Sequence, residues 1–308
     1  MFPKKTIFAP FLGIMTLFFV PPVSKRNREQ TTETTENRTP SILFDLNDVL
    51  FHINKKKMIT HLGFFDTAKY LLSGHSIQTL QDKVLTILHH IDPLSIVEPE
   101  NNNIPMHNNK PVPKILCDWM QGKISTCEVT DKALATINAR AQEGFFTNDR
   151  EQRLITNVIK IMLDPTIRTA AYKPLKKGIK LARLCKKLGY NVFLLSNMDS
   201  EIIPLLEKKY PDIFEIFDGK IISADVNMLK PHKNIYQHTL TTYNLNPLHC
   251  YFIDDQPENI QGARSLGIKS VLCDYKRYYK VYDQFYTWNL LPKKRYKKPI
   301  LFNKKNAE

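Results

Sequence analysis

Residues 41–51 read SILFDLNDVLF, an apolar run broken at Asp45 that predicts a first strand from Ser41 to Leu50. Three further pieces follow far downstream in a fixed order: FLLSN ending at Asn197, MLKP around Lys230, and CYFIDD ending at Asp255. An apolar strand that stops at a polar residue delivers that residue to the carboxyl edge of a parallel sheet, where open α/β sheets bind their ligands. Three such strands and one lysine would assemble a carboxylate nucleophile, a hydroxyl, a cation and an acidic pair suited to a metal. That is the equipment for moving a phosphoryl group through an aspartyl-phosphate.

The rest of the chain supports such a sheet. After Pro174, helical patterns at 175–188, 201–209, 234–243 and 257–266 alternate with apolar runs at 191–195, 220–223, 250–253 and 270–272. The alternation predicts an α/β fold with a doubly wound, Rossmann-like parallel sheet. Between Lys55 and Asp164 the apolar spacing is helical, over 64–72, 77–89, 132–141 and 150–163, and an Asn- and Pro-rich break at 98–114 reads as loop. An insertion of this size after the first strand is expected to form a helical cap over the carboxyl edge, where a lid belongs. The expected division is a signal-like or anchor segment at 1–23 and a linker at 24–40, then a core at 41–54 and 170–275. The cap takes 55–169, and a basic aromatic tail closes the chain at 276–308.

Composition narrows the function classes. Among 308 residues only 10 are glycine and no Gly-x-Gly occurs, which removes the dinucleotide fingerprint and the Walker phosphate loop. The net charge of +14 is concentrated at the ends: residues 276–308 hold 10 Lys/Arg against 2 Asp/Glu, and residues 1–40 hold 6 against 3. A solvated basic tail is therefore expected in preference to nucleic-acid binding. Cys117, Cys127, Cys185, Cys250 and Cys273 make an odd count without Cys-x-x-Cys spacing, and Cys185, Cys250 and Cys273 fall in or beside apolar runs, so buried free thiols are expected there and no zinc site or disulfide framework. Lys4 and Lys5 precede an uncharged apolar run over residues 6–20, closed by Pro21, Pro22 and then Lys25, Arg26 and Arg28. This suits a secretory signal and is short for a membrane span of roughly 20 residues. Export or membrane contact through residues 6–20 is favoured over a cytoplasmic location, although no small-x-small cleavage site follows.

Each candidate residue has a chemical reason to be there. Asp45 can attack phosphorus and carry the phosphoryl group; Ser196 and Asn197 can donate hydrogen bonds to phosphate oxygens. Lys230, just before Pro231, would neutralise charge on the nucleophile and on the transferring group. Asp254 and Asp255 are adjacent, and two carboxylates so close repel unless a cation or proton intervenes. Mg²⁺ favours one or two carboxylates, waters and a substrate phosphate, so the pair together with Asp45 implies Mg²⁺. Asn259 is placed to orient that shell.

These motifs resemble those of the haloacid dehalogenase-like hydrolase superfamily, over about 41–52 and 170–275, and the helical insertion sits where that family keeps its C1 cap. LKPHKNIYQHTL and YFIDDQPENIQGARSLGIKS are similar to the sugar-phosphatase branch that includes glucose-1-phosphate phosphatase. The resemblance implies Asp45 as nucleophile, with Mg²⁺ on Asp45, Asp255 and the backbone carbonyl of Asn47 and with Asp254 beside them. Ser196, Asn197 and Lys230 would complete the site. The implied activity is hydrolysis of a small phosphorylated metabolite, with a sugar phosphate expected. Most phosphatases of the family carry a second aspartate two residues after the nucleophile, as general acid and then base. Here that position is Asn47, whose amide can do neither. Reduced or narrowed hydrolysis is expected, least so for a leaving group that departs readily. Asp48 is adjacent, but side chains alternate along a strand, which predicts that it faces elsewhere. Two other readings stay open: a metal-independent dehalogenase using Asp45 on carbon, and a catalytically weak binding or effector protein using the tail YKRYYKVYDQFYTW as its surface. Aromatics at that density also bury area, so the same tail could pack on the sheet.

Overall fold

Strand β1 (Ser41–Phe44) is buried at every residue, which is why it reads as an unbroken apolar run. The other strands in chain order are β2 (Phe51–Ile53), β3 (Met106–His107), β4 (Lys110–Pro111), β5 (Tyr172–Pro174), β6 (Asn191–Ser196), β7 (Gly219–Ile222), β8 (Cys250–Asp254) and β9 (Lys269–Leu272). In this computed structural model residues 39–62, 64–74, 76–91, 105–107 and 110–292 are described. The signal-like or anchor segment, nearly all of the expected linker, and residues 293–308 of the tail lie outside them. Among the described residues no helix is long and apolar enough to cross a membrane.

Five strands form one sheet in the order β7-β6-β1-β8-β9, every pair parallel. The chain leaves β1 toward β6 and β7 on one side and then returns to fill β8 and β9 on the other. A crevice opens at the carboxyl edge where the winding direction changes, beside β1. Phe44 pairs with Leu194 and with Ile253, so the residues that follow β1, β6 and β8 emerge at one level.

Side chains alternate across the sheet as a period of two requires. Ile42 and Phe44 join Val192, Leu194, Tyr251 and Ile253 in one apolar layer. Leu43 joins Phe193, Leu195 and Phe252 in the other, under the helices Lys233–Thr242 and Pro257–Arg264. Helix Lys176–Lys187 covers the first layer. It buries Ile179, Leu181, Ala182 and Cys185 and turns its lysines outward. Gly178 of that helix faces the turn after β1 so closely that an added Cβ would lie 2.1 Å from the Val49 carbonyl oxygen. Any side chain there would displace the turn that carries the residues following Asp45.

The first strand is shorter than the sequence suggests. It ends at Phe44, and residues 46–50 form a turn in which the amides of Leu50 and Phe51 both donate to the Leu46 carbonyl. Leu46, Val49 and Leu50 are fully buried, so their apolar character reflects packing and not strand geometry. The segment beyond 275 is also more than a tail. Helix Tyr279–Thr287 buries Val281, Tyr282 and Phe285 against the first layer, with Tyr278, Leu290 and Leu291 beside them. Full burial of each such side chain is worth about 1.5–3 kcal/mol. Tyr190 Oη also donates to the Leu290 carbonyl at 2.8 Å.

Between β2 and β5, which pair antiparallel, the described residues are mostly helical. These helices gather around their own apolar cluster, centred on Val84, Ile87, Val129, Leu154, Ile155 and Ile159. Ser223 Oγ, at the end of β7, donates to the Met120 carbonyl, and Arg168 pairs with Asp199 at 2.6 Å. The helical segment is therefore tied to the loops at the sheet's carboxyl edge.

Candidate active site

Asp45 is the first residue past β1, and its amide donates to the Ile253 carbonyl at 2.9 Å, continuing the ladder by one rung. Its carboxylate meets Lys230, whose side chain is only 1% exposed. The Lys230 ammonium donates all three of its protons: to Asp45 Oδ1 at 2.7 Å, Asp254 Oδ2 at 2.6 Å and the Leu195 carbonyl at 2.9 Å. Burial alone would depress this ammonium, but Asp254 and Asp45 outweigh it and hold Lys230 above its ordinary value.

The loop carrying Lys230 is fixed by Asn197. The Asn197 amide nitrogen donates to the Lys230 carbonyl and its oxygen accepts from the Lys230 amide, both at 2.9 Å. Asn197 thus spends its amide on positioning the lysine, a role the sequence did not suggest. Ser196, one residue earlier, is fully buried, and its Oγ has no hydrogen-bond partner among the described residues. It is a donor lacking an acceptor at the end of β6.

Asp254 and Asp255 divide their work. Asp254 takes bonds from Lys230, from the Gln256 amide at 2.7 Å, and from Asn259 Nδ2 at 3.0 and 3.1 Å, so both of its oxygens are occupied. Asp255 accepts from Gln256 Nε2 at 2.9 Å and faces the cavity. Carboxylate oxygens of Asp45, Asp254 and Asp255 all lie within 4.8 Å of one another. Three carboxylates therefore share one ammonium. Burial, with the Asp254 charge adding to it and Lys230 opposing it, raises Asp45 to about 6. Burial and the charges of Asp45 and Asp254 raise Asp255 to about 8. A hard dication suits this excess of oxygen charge.

Asp255 gives the metal-free protein a pH dependence of definite sign. Its folded pKa lies above the unfolded value, so the metal-free native state binds the extra proton between about pH 4 and 8. Stability of the metal-free protein should fall as pH rises through that window. Mg²⁺ should raise the melting temperature more at pH 8 than at pH 6. A thermal-shift series with and without Mg²⁺ checks it, and a shift independent of pH would contradict this balance of three carboxylates against one ammonium.

The site opens on a cavity of about 440 Å³. Asp45, Asn47, Asp48, Asn197, Lys230 and Asp255 line it from the sheet edge. Asn47 Oδ1 is buried without a hydrogen-bond partner among the described residues. Asp48 corrects the expectation that it faces away: the strand has ended, Asp48 adopts φ +51°, and its side chain lines the same cavity and bonds His52 Nδ1. His52 also lines the cavity and stacks on Tyr275, with centroids 4.4 Å apart. Sequence reasoning missed His52, and it missed Trp119, which reaches the cavity from the helical side beneath Arg168, 4.7 Å over its ring. Nothing in the spacing of either residue marked it.

Comparison with known proteins bears on this arrangement. The family model described as haloacid dehalogenase-like hydrolase matches residues 40–267. Bifunctional epoxide hydrolase 2 of Rattus norvegicus is 30% identical over 97 residues, 30% of this chain and 18% of that protein. A sesquiterpene phosphatase of Aspergillus oryzae is 27% identical over 100 residues, 32% of this chain and 50% of that protein. The matches thus span half or less of these curated relatives. Among solved structures, a HAD family enzyme of Bacteroides thetaiotaomicron gives a TM-score of 0.48 at 16% identity, over 79% of this chain and 98% of that one.

Proposed function

The chain belongs to the haloacid dehalogenase-like hydrolases, and on that premise we propose that it is a Mg²⁺-dependent phosphatase of a small phosphorylated metabolite. The observation that carries the reading is the buried Lys230 ammonium set between Asp45 and Asp254, with Asp255 beside them and open to the cavity. Lys230 holds Asp45 Oδ1, which assigns Oδ2 to the attack on phosphorus. The new O–P bond forms as the ester O–P bond breaks, the alcohol leaves and takes a proton from solvent, and an aspartyl-phosphate remains. Water then attacks phosphorus and returns the carboxylate and inorganic phosphate. Ser196 Oγ, a buried donor without an acceptor among the described residues, supports binding of an anionic oxygen at the end of β6. Asp45, Asp255 and the backbone carbonyl of Asn47 are the groups that would hold Mg²⁺, which when bound neutralises charge between carboxylates and phosphate.

The helices of 55–169 take the role of a C1 cap in this reading, because they supply one wall of the cavity. A sugar as the body of the substrate rests on the resemblance of motifs at the phosphate end alone. A metal-independent dehalogenase would use the same Asp45, but three carboxylates sharing one lysine would repel a haloacid's own carboxylate.

The deciding experiment is phosphate release over a panel of monoesters, with Mg²⁺ and in excess chelator. Chelator should abolish release. Asp255→Ala should cost more than the roughly 10–100-fold typical of losing an outer partner of a metal site. Undiminished release in chelator would remove the metal from the reading.

A further inference from the structure

We infer that the substrate of this site is a phosphate monoester with an apolar body, aryl or alkyl, and not a polyhydroxylated sugar; the inference rests on the phosphatase reading above. The phosphate end of the cavity is polar, but the end that would hold the substrate's body is not. Among the described residues, ten that line the cavity come from the helical segment, and nine of these are apolar. Leu85, Val112, Leu116, Trp119, Met120 and Met162 supply side chains, and three prolines at 105, 111 and 113 supply the rest. Lys55 is the exception and is exposed.

Several of the polar atoms that the described residues of this wall carry are already engaged within the protein. Trp119 Nε1 donates to Thr126 Oγ1 at 3.0 Å, away from any ligand. The Pro105 carbonyl accepts from the Val112 amide at 2.9 Å, and the Met120 carbonyl accepts from Ser223. The Pro113 carbonyl accepts from the amides of Leu116 and Cys117. Prolines bring no N–H donor. Among the described residues, then, a sugar's hydroxyls would lose water along this wall and find few partners, which is costly. An apolar body gains from the same burial. The volume, about 440 Å³, falls within the range of about 300–1,000 Å³ typical of small-molecule pockets.

Asn47 adds an independent constraint. Its amide cannot protonate a leaving oxygen, so esters whose oxygen departs unaided are favoured. A phenol leaves more readily than an alkanol, which ranks aryl above alkyl bodies.

The test compares kcat/KM for octyl phosphate and glucose 6-phosphate, which share a poor alkyl leaving group, and for 1-naphthyl phosphate and glucose 1-phosphate. Alongside, calorimetry compares dissociation constants of octylphosphonate and of a glucose-derived phosphonate. Octyl phosphate should exceed glucose 6-phosphate by about 10²-fold or more, since each apolar group seated in such a pocket is worth roughly tenfold or better. Leu116→Asn should shrink that ratio about tenfold or more, and Met162→Gln, a near-isosteric change, provides the same measurement if Leu116→Asn misfolds. Glucose phosphates turned over equally well or better would overturn the apolar assignment. If no ester is hydrolysed, the phosphatase reading fails by itself. The phosphonates then decide the wall: tighter octylphosphonate supports it and equal or weaker binding overturns it.

Discussion

Asp45→Asn is expected to lower phosphate release by about 10⁴-fold or more, to the background of the assay, because it replaces the attacking carboxylate oxygen with a poorly nucleophilic amide. The amide is nearly isosteric, and Lys230 keeps Asp254 and the Leu195 carbonyl as acceptors, so the loop it anchors should stay seated. Stability should not suffer. The Asp45 carboxyl is raised by burial to about 6, against 3.8 for the ordinary group. A raised carboxylate pKa means that ionisation opposes folding above the folded value, so the neutral amide should match or exceed the wild type at pH 7–8. That advantage should vanish below about pH 4, where the carboxyl is protonated in both folded and unfolded states. Single-turnover phosphate release measures the first effect and denaturant titration at two pH values the second. Activity within tenfold of wild type would end the aspartyl-phosphate mechanism, whatever the stability data showed.

Much of the sheet-edge half of the site was legible because it rests on short-range rules. Apolar strands that are buried on both faces read as continuous runs, and the residue that breaks each run marks the carboxyl edge. Asp45, Ser196 and Asn197, and Asp254 and Asp255 were all found that way, and the structure brings them to one edge. What the sequence hid was the division of labour among them. Asn197 binds backbone rather than facing a ligand with its amide, and Asp254 is saturated by Lys230, Gln256 and Asn259. The bonds of Asn197 and Asp254 to the Lys230 loop span 33 and 24 residues, which no local pattern encodes, whereas Gln256 and Asn259 reach Asp254 from two and five residues away.

Other features were misread for identifiable reasons. Leu46, Val49 and Leu50 lengthened the apparent first strand because buried turn residues are as apolar as strand residues, and strand alternation then turned Asp48 away from the cavity it lines. Beyond 275 the density of lysine, arginine and tyrosine masked a helical period. Tyr278, Val281, Tyr282 and Phe285 recur at spacings of three and four and face inward, while Lys276, Arg277 and Lys280 remain exposed. The apolar cavity wall had no signature at all. Its residues are scattered over 85, 105–120 and 162, and a leucine that lines a cavity looks, in sequence, like one that fills a core.

Lys230→Met should be the most destabilising single change at this site. It leaves Asp45, Asp254 and Asp255 without their shared cation, with Asp254 fully buried. Removing one partner of a buried ion pair costs about 3–5 kcal/mol, because the remaining charge is neither solvated nor paired. For a domain of this size that corresponds to roughly 6–20 °C in melting temperature. The loss should depend on pH with a definite sign. Without the lysine the carboxylates bind protons more readily, so the penalty should be full near pH 8 and shrink toward pH 5, where protonation removes the uncompensated charge. Mg²⁺ should recover part of the loss at pH 8 by taking the place of the missing cation. A second substitution separates charge from packing: in Lys230→Met with Asp254→Asn, the most deeply buried carboxylate is neutral, and replacing both members of a buried pair is often close to neutral in stability. The double variant should therefore be more stable than Lys230→Met alone at pH 8, in chelator, by denaturant titration. A double variant that is less stable than either single one would mean that Lys230 holds the loop through its aliphatic packing and its bond to the Leu195 carbonyl, and that the carboxylates are not what it is there to balance.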